Sequence, residues 1–283
     1  MPDRVIRPSS LVDYLDCPRR WPARHLRDDL AGSGYVLRPR SAASAGALVG
    51  SGLHAGAGWT LDHMRANGAP GADADAVETA IDELRQRAEI EGAEWDQTTD
   101  KMNTAERQVR RMTLSYRTDL APLIEPIEVE SRLEADLAPG WTLSGQADLI
   151  AAERGDSRTV RDTKSGTRAR ANGAQYGAYS LLWRAHGVEA SRIFEDYVPR
   201  VRLDKEQPPP LTISIDVQQA SADAWDAMQA IMRDVDEFDR RVADPAGAPP
   251  PGAFRANPNS ALCSAQWCPA WGTKWCRSHR SAR

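Results

Sequence analysis

A mixed α/β fold, a central sheet flanked by helices, is what three features of this sequence predict. Stretches of apolar–polar alternation gather in the middle of the chain between turn residues. Segments with a 3.6-residue apolar period lie before and after them. No motif recurs at a fixed spacing, which excludes a solenoid or propeller. At 283 residues, 41% of them hydrophobic, the chain can bury a full core as one domain with appendages.

In chain order, Ser9 or Ser10 caps a short helix through Leu11, Val12, Tyr14 and Leu15, which Cys17-Pro18 stops before Arg19-Arg20-Trp21. Residues 31–45 read as a loop. Gly46 to Met64 reads as a helix in spite of Gly46, Gly50, Gly52, Gly56 and Gly58. Each glycine costs about 1 kcal/mol relative to alanine, so the backbone is expected to approach another helix or a phosphodiester closely. His54 lies among them, while His63 falls on another face and reads as a surface residue. Ala72–Ile90 and Thr99–Asp119 are amphipathic scaffold helices. Ile127–Leu137 reads as a strand with Val129 and Leu133 inward. Its other face carries Glu128, Glu130 and Glu134, most simply a solvated surface.

Leu143–Ala151 and Thr159–Lys164 read as a hairpin around Glu153-Arg154-Gly155-Asp156-Ser157. Centred on Gly155, it sets Ile150 opposite Val160 and Asp148 opposite Asp162. Facing carboxylates repel. The apolar frame of Ala147, Leu149 and Ile150 predicts burial, where an unpaired charge is costly. A hard dication such as Mg²⁺ is the natural counter-charge; the plainer alternative is a solvated hairpin edge. Lys164 shares the face of Asp162. Only four lysines stand against thirty-two arginines, and the compact ammonium suits a site beside a metal-polarised water better than a guanidinium does. A helix over Asn172–His186 follows, with Gln175 and Tyr179 on one face. Ser191–Pro199 and Leu211–Val217 read as paired strands, Ser221 caps a helix to Val242, and 244–258 is a linker without periodicity.

Gly145-x-x-Asp148, Asp162-x-Lys164 and Gln175-x-x-x-Tyr179, in that order, resemble the PD-(D/E)XK nuclease superfamily, and most closely its RecB-like exonuclease branch. That branch includes the AddB nuclease domain and the CRISPR-associated family-four exonucleases, and some members are phage-encoded. The N-terminal run Ser9-x-Leu11-x-x-Tyr14-Leu15-x-Cys17-Pro18-Arg19-Arg20-Trp21 resembles the same branch. The resemblance implies a restriction-endonuclease-like mixed sheet, with Asp148, Asp162 and the Thr163 backbone carbonyl holding Mg²⁺ or Mn²⁺. It further implies Lys164 orienting or deprotonating the attacking water, Gln175 and Tyr179 contacting substrate, His54 as a metal ligand on the early helix, and Glu130 near the metal.

Cys17, Cys263, Cys268 and Cys276 are all the cysteines of the chain. Two disulfides are rare inside cells, and four thiolates with none spare fit a metal or cluster site. Within the family, one early and three late cysteines imply a 4Fe–4S cluster joining the two ends. The intervals here, four and seven residues, depart from the commonest form and leave Zn²⁺ open. Trp267, Trp271 and Trp275 either cover that centre or stack on bases.

The expected organisation is a single nuclease domain over 1–283. Segments 1–30 and 259–283 form the staple, 46–120 a helical part, 125–217 the catalytic core and 221–243 a further helix. The net charge of −4 is unusual for a nucleic-acid binder, but basic residues cluster: Arg161, Arg168 and Arg170 at the site as DNA contacts, Arg19 to Arg27 and Lys274 to Arg283 at the ends. No signal peptide or membrane-length apolar run is seen, so a cytoplasmic, intracellular location without membrane association is expected. The expected activity is metal-dependent hydrolysis of DNA, exonucleolytic on single-stranded ends, in recombination, repair or CRISPR adaptation. Partners would be DNA, a separate helicase, a recombinase or CRISPR adaptation proteins, and further copies of the chain. The rival is a non-catalytic DNA-binding scaffold that keeps the fold and the staple.

Overall fold

The computed structural model describes residues 4–152, 158–168, 173–244 and 246–277. The elements run β1 (Arg4–Ile6), α1 (Ser10–Asp16), α2 (Arg20–His25), α3 (Arg27–Gly32), β2 (Ala43–Ser44), α4 (Ala45–Asn67), α5 (Asp73–Glu91), β3 (Ala93–Glu94) and α6 (Met102–Ser115), then β4 (Glu125–Ala138), β5 (Trp141–Ala152), β6 (Arg158–Gly166), α7 (Gly173–Ala185), β7 (Ala190–Pro199), β8 (Leu211–Ile215) and α8 (Val217–Ala243). This is the mixed α/β architecture expected. Among the described residues no helix is long and apolar enough to cross a membrane.

The six-stranded sheet is organised on β5. One edge of β5 pairs with antiparallel β4 along its length. Its other edge pairs with parallel β1 at Trp141–Leu143 and with antiparallel β6 at Leu149–Ala152. Between those two partners, residues 144–148 have no ladder partner on that edge among the described residues. Beyond β6 come parallel β7 and antiparallel β8. Ile150 does oppose Val160, so Asp148 and Asp162 face each other one step past the last paired residues, where the strands part. The hairpin turn, 153–157, lies outside the described residues.

Each face of the sheet has its own core. α1, α7 and α8 cover one face through residues such as Tyr14, Tyr176, Leu182, Met228 and Ile231. The other is packed by α4, α5 and α6 through Leu53, Leu61, Leu84, Val109 and Met112. The glycines of α4 make both approaches possible. A Cβ on Gly52 would lie 2.6 Å from the Ala80 carbonyl oxygen and one on Gly56 2.9 Å from Thr113, so these two admit α5 and α6. Gly50 and Gly58 instead admit Ser165 of β6 and Glu130 of β4.

Besides the short helices α2 and α3, which the sequence reading did not include, three regions differ from it. α8 begins at Val217, with the Asp216 side chain accepting from the Gln219 N–H at 2.6 Å; Ser221 lies inside the helix. The alternation Leu211, Ile213, Ile215 continued to Val217 by coincidence, because the first turn of α8 is also apolar there. The segment read as a linker holds a turn of 3₁₀-helix, Pro250–Ala253, and the fully buried Phe254, which packs on Phe238 and Trp275. β1 is too short for its alternation to be recognised; it docks through the buried Ile6.

The chain ends are tied together by many polar contacts. Trp275 Nε1 donates to the Arg19 carbonyl oxygen at 2.9 Å, Arg24 to the Trp267 carbonyl at 2.8 Å and the Arg38 N–H to the Pro269 carbonyl at 2.9 Å. Arg20, its side chain 1% exposed, pairs with Asp13 and Asp16 and donates to Ser260.

Candidate active site

Asp148 on β5, Asp162 and Lys164 on β6, and His54 on α4 converge where β5 and β6 part. Gly46, Gly50, His54 and Gly58 recur every fourth residue along α4, so the helix lies close to the strands while the His54 imidazole reaches them. His54 Nδ1 is 3.1 Å from Asp148 Oδ2, and the same oxygen accepts the Thr163 N–H at 2.8 Å. The Lys164 ammonium contacts Asp162 Oδ2. Asp162 is 1% exposed, yet neither of its oxygens has a hydrogen bond of proper geometry.

The two aspartates are driven apart in acidity. Burial and the Asp148 charge push Asp162 up to about 7, against Lys164 and His54. For Asp148, burial also raises the pKa, but the His54 charge and hydrogen bond, Lys164 and the Thr163 N–H together hold it below its ordinary value. Burial opposes the charged forms of His54 and Lys164; the two carboxylates outweigh it and raise both. Two unlike carboxylates facing each other are a pattern of catalytic sites.

Glu130 sits on β4 across from Asp148, at the one pair missing between Glu128–Ile150 and Asp136–Thr142 in the β4–β5 register. Its φ of 50° is the only positive value for a non-glycine among the described residues. A side chain in that region is strained. Its carboxylate accepts from Gln146 Nε2 at 2.8 Å, and burial followed by the Asp148 charge raises its pKa. On α7, Gln175 Nε2 donates to the Tyr179 hydroxyl at 3.2 Å, and Tyr179 is raised by burial and by both aspartates. The sequence-predicted residues His54, Glu130, Asp148, Asp162, Thr163, Lys164, Gln175 and Tyr179 therefore share one neighbourhood.

The proposed DNA contacts fare differently. Arg161 is spent inside the protein: its guanidinium is bidentate to buried Asp196 at 2.7 and 2.8 Å and stacks on Phe194, on the opposite side of β6 from Asp162. Arg168 is exposed. Arg170 lies outside the described residues. Two residues of the site were missed in the sequence. Glu195 pairs in register with Asp162 and is fully buried; its Oε2 accepts from the Tyr176 hydroxyl, and Oε1 has no hydrogen bond. The Tyr176 ring lies 5.8 Å from the Lys164 ammonium. An acid within the apolar run Ile193 to Val198 was the available signal.

The PD-(D/E)XK nuclease superfamily profile matches residues 6–277. This chain belongs to that superfamily. Among solved structures, a protein from Eubacterium rectale named "Putative exonuclease" is similar at 14% identity, over 78% of this chain and 86% of that one, with a TM-score of 0.42. SSO0001 is similar at 11% identity, over 72% and 83%, with a TM-score of 0.27. No curated protein matches the chain.

Superfamily nucleases use divalent metals such as Mg²⁺ or Mn²⁺. Among the described residues no group of three or more His, Cys, Asp or Glu side chains stands in metal-binding arrangement. The chemistry of the donors nevertheless fits a hard cation: Asp162 offers two buried oxygens lacking hydrogen bonds, beside Asp148. The four cysteines form no disulfide and line one cavity of about 10 Å³, close to the space of one water. The Asn257 N–H points at Cys17 Sγ at 3.4 Å, and burial raises the Cys268 thiol.

Proposed function

We propose that this superfamily member is a Mg²⁺- or Mn²⁺-dependent DNA exonuclease acting on single-stranded ends. The observation that carries the reading is buried Asp162, with two oxygens lacking hydrogen bonds, opposite Asp148 and in contact with Lys164. Asp162, Asp148, His54, the Thr163 carbonyl and Glu130 are the residues that would hold the cation. Bound there, it would polarise the phosphate and make water more acidic.

The protein groups divide the remaining work. His54 and the Thr163 N–H orient Asp148 from two sides. Lys164, held as an ammonium by its carboxylate neighbours, orients water and meets developing charge on the phosphate rather than acting as a base. Gln175 and Tyr179 supply a hydrogen-bonding pair facing the substrate. Exonucleolytic action, single-strand preference and a role in recombination, repair or CRISPR adaptation beside a separate helicase rest on the resemblance to the RecB-like branch. So does a 4Fe–4S staple at Cys17, Cys263, Cys268 and Cys276, for which Zn²⁺ is the alternative; absorption near 400 nm and metal analysis of the purified protein separate the two.

The test is degradation of end-labelled single strands with Mg²⁺ and with EDTA. Wild type degrades them only with the cation, and Asp162→Ala lowers the rate by about 10³-fold or more. Undiminished degradation by the variant would refute the assignment.

A further inference from the structure

A second basic site lies away from the acid cluster. Arg24, Arg27, Arg38 and Arg40 line a pocket of about 410 Å³ together with Gln266 and Trp267 of the cysteine tail. No Asp or Glu lines it. Arg24 is accounted for by Asp13 at 2.7 Å and the Trp267 carbonyl. The other three have no carboxylate partner among the described residues. Arg27 reaches only backbone carbonyls, the Arg38 guanidinium lies over the Trp271 ring at 5.8 Å, and Arg40 is exposed.

Like charges gathered without counter-charge raise the local potential and disfavour the fold. A bound anion relieves that cost, and guanidinium forks match phosphate oxygens geometrically. We infer that this pocket docks the phosphodiester backbone of the nucleic-acid strand whose end is cut at Asp148 and Asp162. This rests on the nuclease reading above and extends it to a second region of the substrate. Position supports it: Arg38, Arg40 and Ser41 lead through β2 directly into α4, and from Ala45 to His54 that helix advances about 13 Å. The docked strand would run from the pocket along α4 toward His54. Half-buried Trp267 in the wall offers a face on which a base can stack. The pocket also gives the cysteine tail a purpose beyond closing the fold, since Ala265–Pro269 form half of its rim.

The test is fluorescence anisotropy of a labelled oligothymidylate in EDTA, titrated with KCl, so that binding is read without turnover. Wild type should bind with a steep salt dependence. Arg38→Ala/Arg40→Ala should weaken binding on the order of tenfold and lower the log–log salt slope by about 1.4, roughly 0.7 for each single-strand phosphate that the variant no longer neutralises. Should the double variant melt early, Arg40→Glu alone carries the test, with weakening in the same direction. Wild-type affinity and slope in these variants would overturn the pocket while leaving the nuclease reading in place. Absence of oligonucleotide binding by wild type itself would count against both.

Discussion

The acid cluster between β5 and β6 and the cysteine cavity between the chain ends are both buried groups of metal-type donors, and they handle charge in opposite ways. In the acid cluster the protein's own groups leave Asp162 short of hydrogen bonds and its carboxyl raised to about 7. At the cysteines the groups are thiols, with Cys268 raised further by burial. A surrounding set of hydrogen bonds from Arg19, Arg20, Arg24, Arg38 and Asn257 holds the ends without them. The lesson is that one site is held under electrostatic tension that a cation would relieve, whereas the other is supported by its frame.

That contrast can be broken most forcefully at Arg20. Its buried guanidinium joins Asp13, Asp16 and Ser260, and Arg20→Ala should cost about 3 kcal/mol or more in urea denaturation. Cys17→Ser, measured in chelator, should cost about 1 kcal/mol or less if the frame carries the load. A larger loss for the cysteine would reverse the contrast.

The acid cluster makes the opposite prediction. Asp162→Asn removes a buried charge of low hydrogen-bond satisfaction and should stabilise the protein in EDTA by on the order of 1 kcal/mol, while activity is lost. Acidity gives a related effect. Asp162 in the fold has a pKa above its unfolded value of about 3.9, so its contribution is present at low pH and is lost as pH rises toward about 7. His54, also raised, acts in the same sense; Asp148, lowered, opposes only as pH falls below about 4. The melting temperature in EDTA should therefore rise as pH is lowered from 8 to 5, and Asp162→Asn should flatten that slope.

How much of this was legible in the sequence follows the range of the interactions. The hairpin register was, because side chains alternate strictly and Ile150 opposite Val160 carries Asp148 opposite Asp162 with it. The helix at Gly46 to Met64 was, and its glycines signalled close approach, but not that Gly52 and Gly56 serve neighbouring helices while Gly50 and Gly58 serve the site. Phe254 could not be placed because its partners, Phe238 and Trp275, come from α8 and the tail. Arg161 looked like a phosphate ligand by proximity in the chain; Asp196, thirty-five residues on and on the next strand, claims it. Glu195 and Tyr176 were missed for the same reason, since only the parallel pairing of β6 with β7 brings Glu195 beside Asp162.

The most direct measurement is the melting temperature of wild type and Asp162→Asn, with and without saturating Mn²⁺, at pH 7.5. The account predicts that the variant melts higher than wild type in EDTA, and that Mn²⁺ raises wild type but adds little to the variant. Equal Mn²⁺ shifts in the two proteins, with wild type the more stable in EDTA, would contradict it.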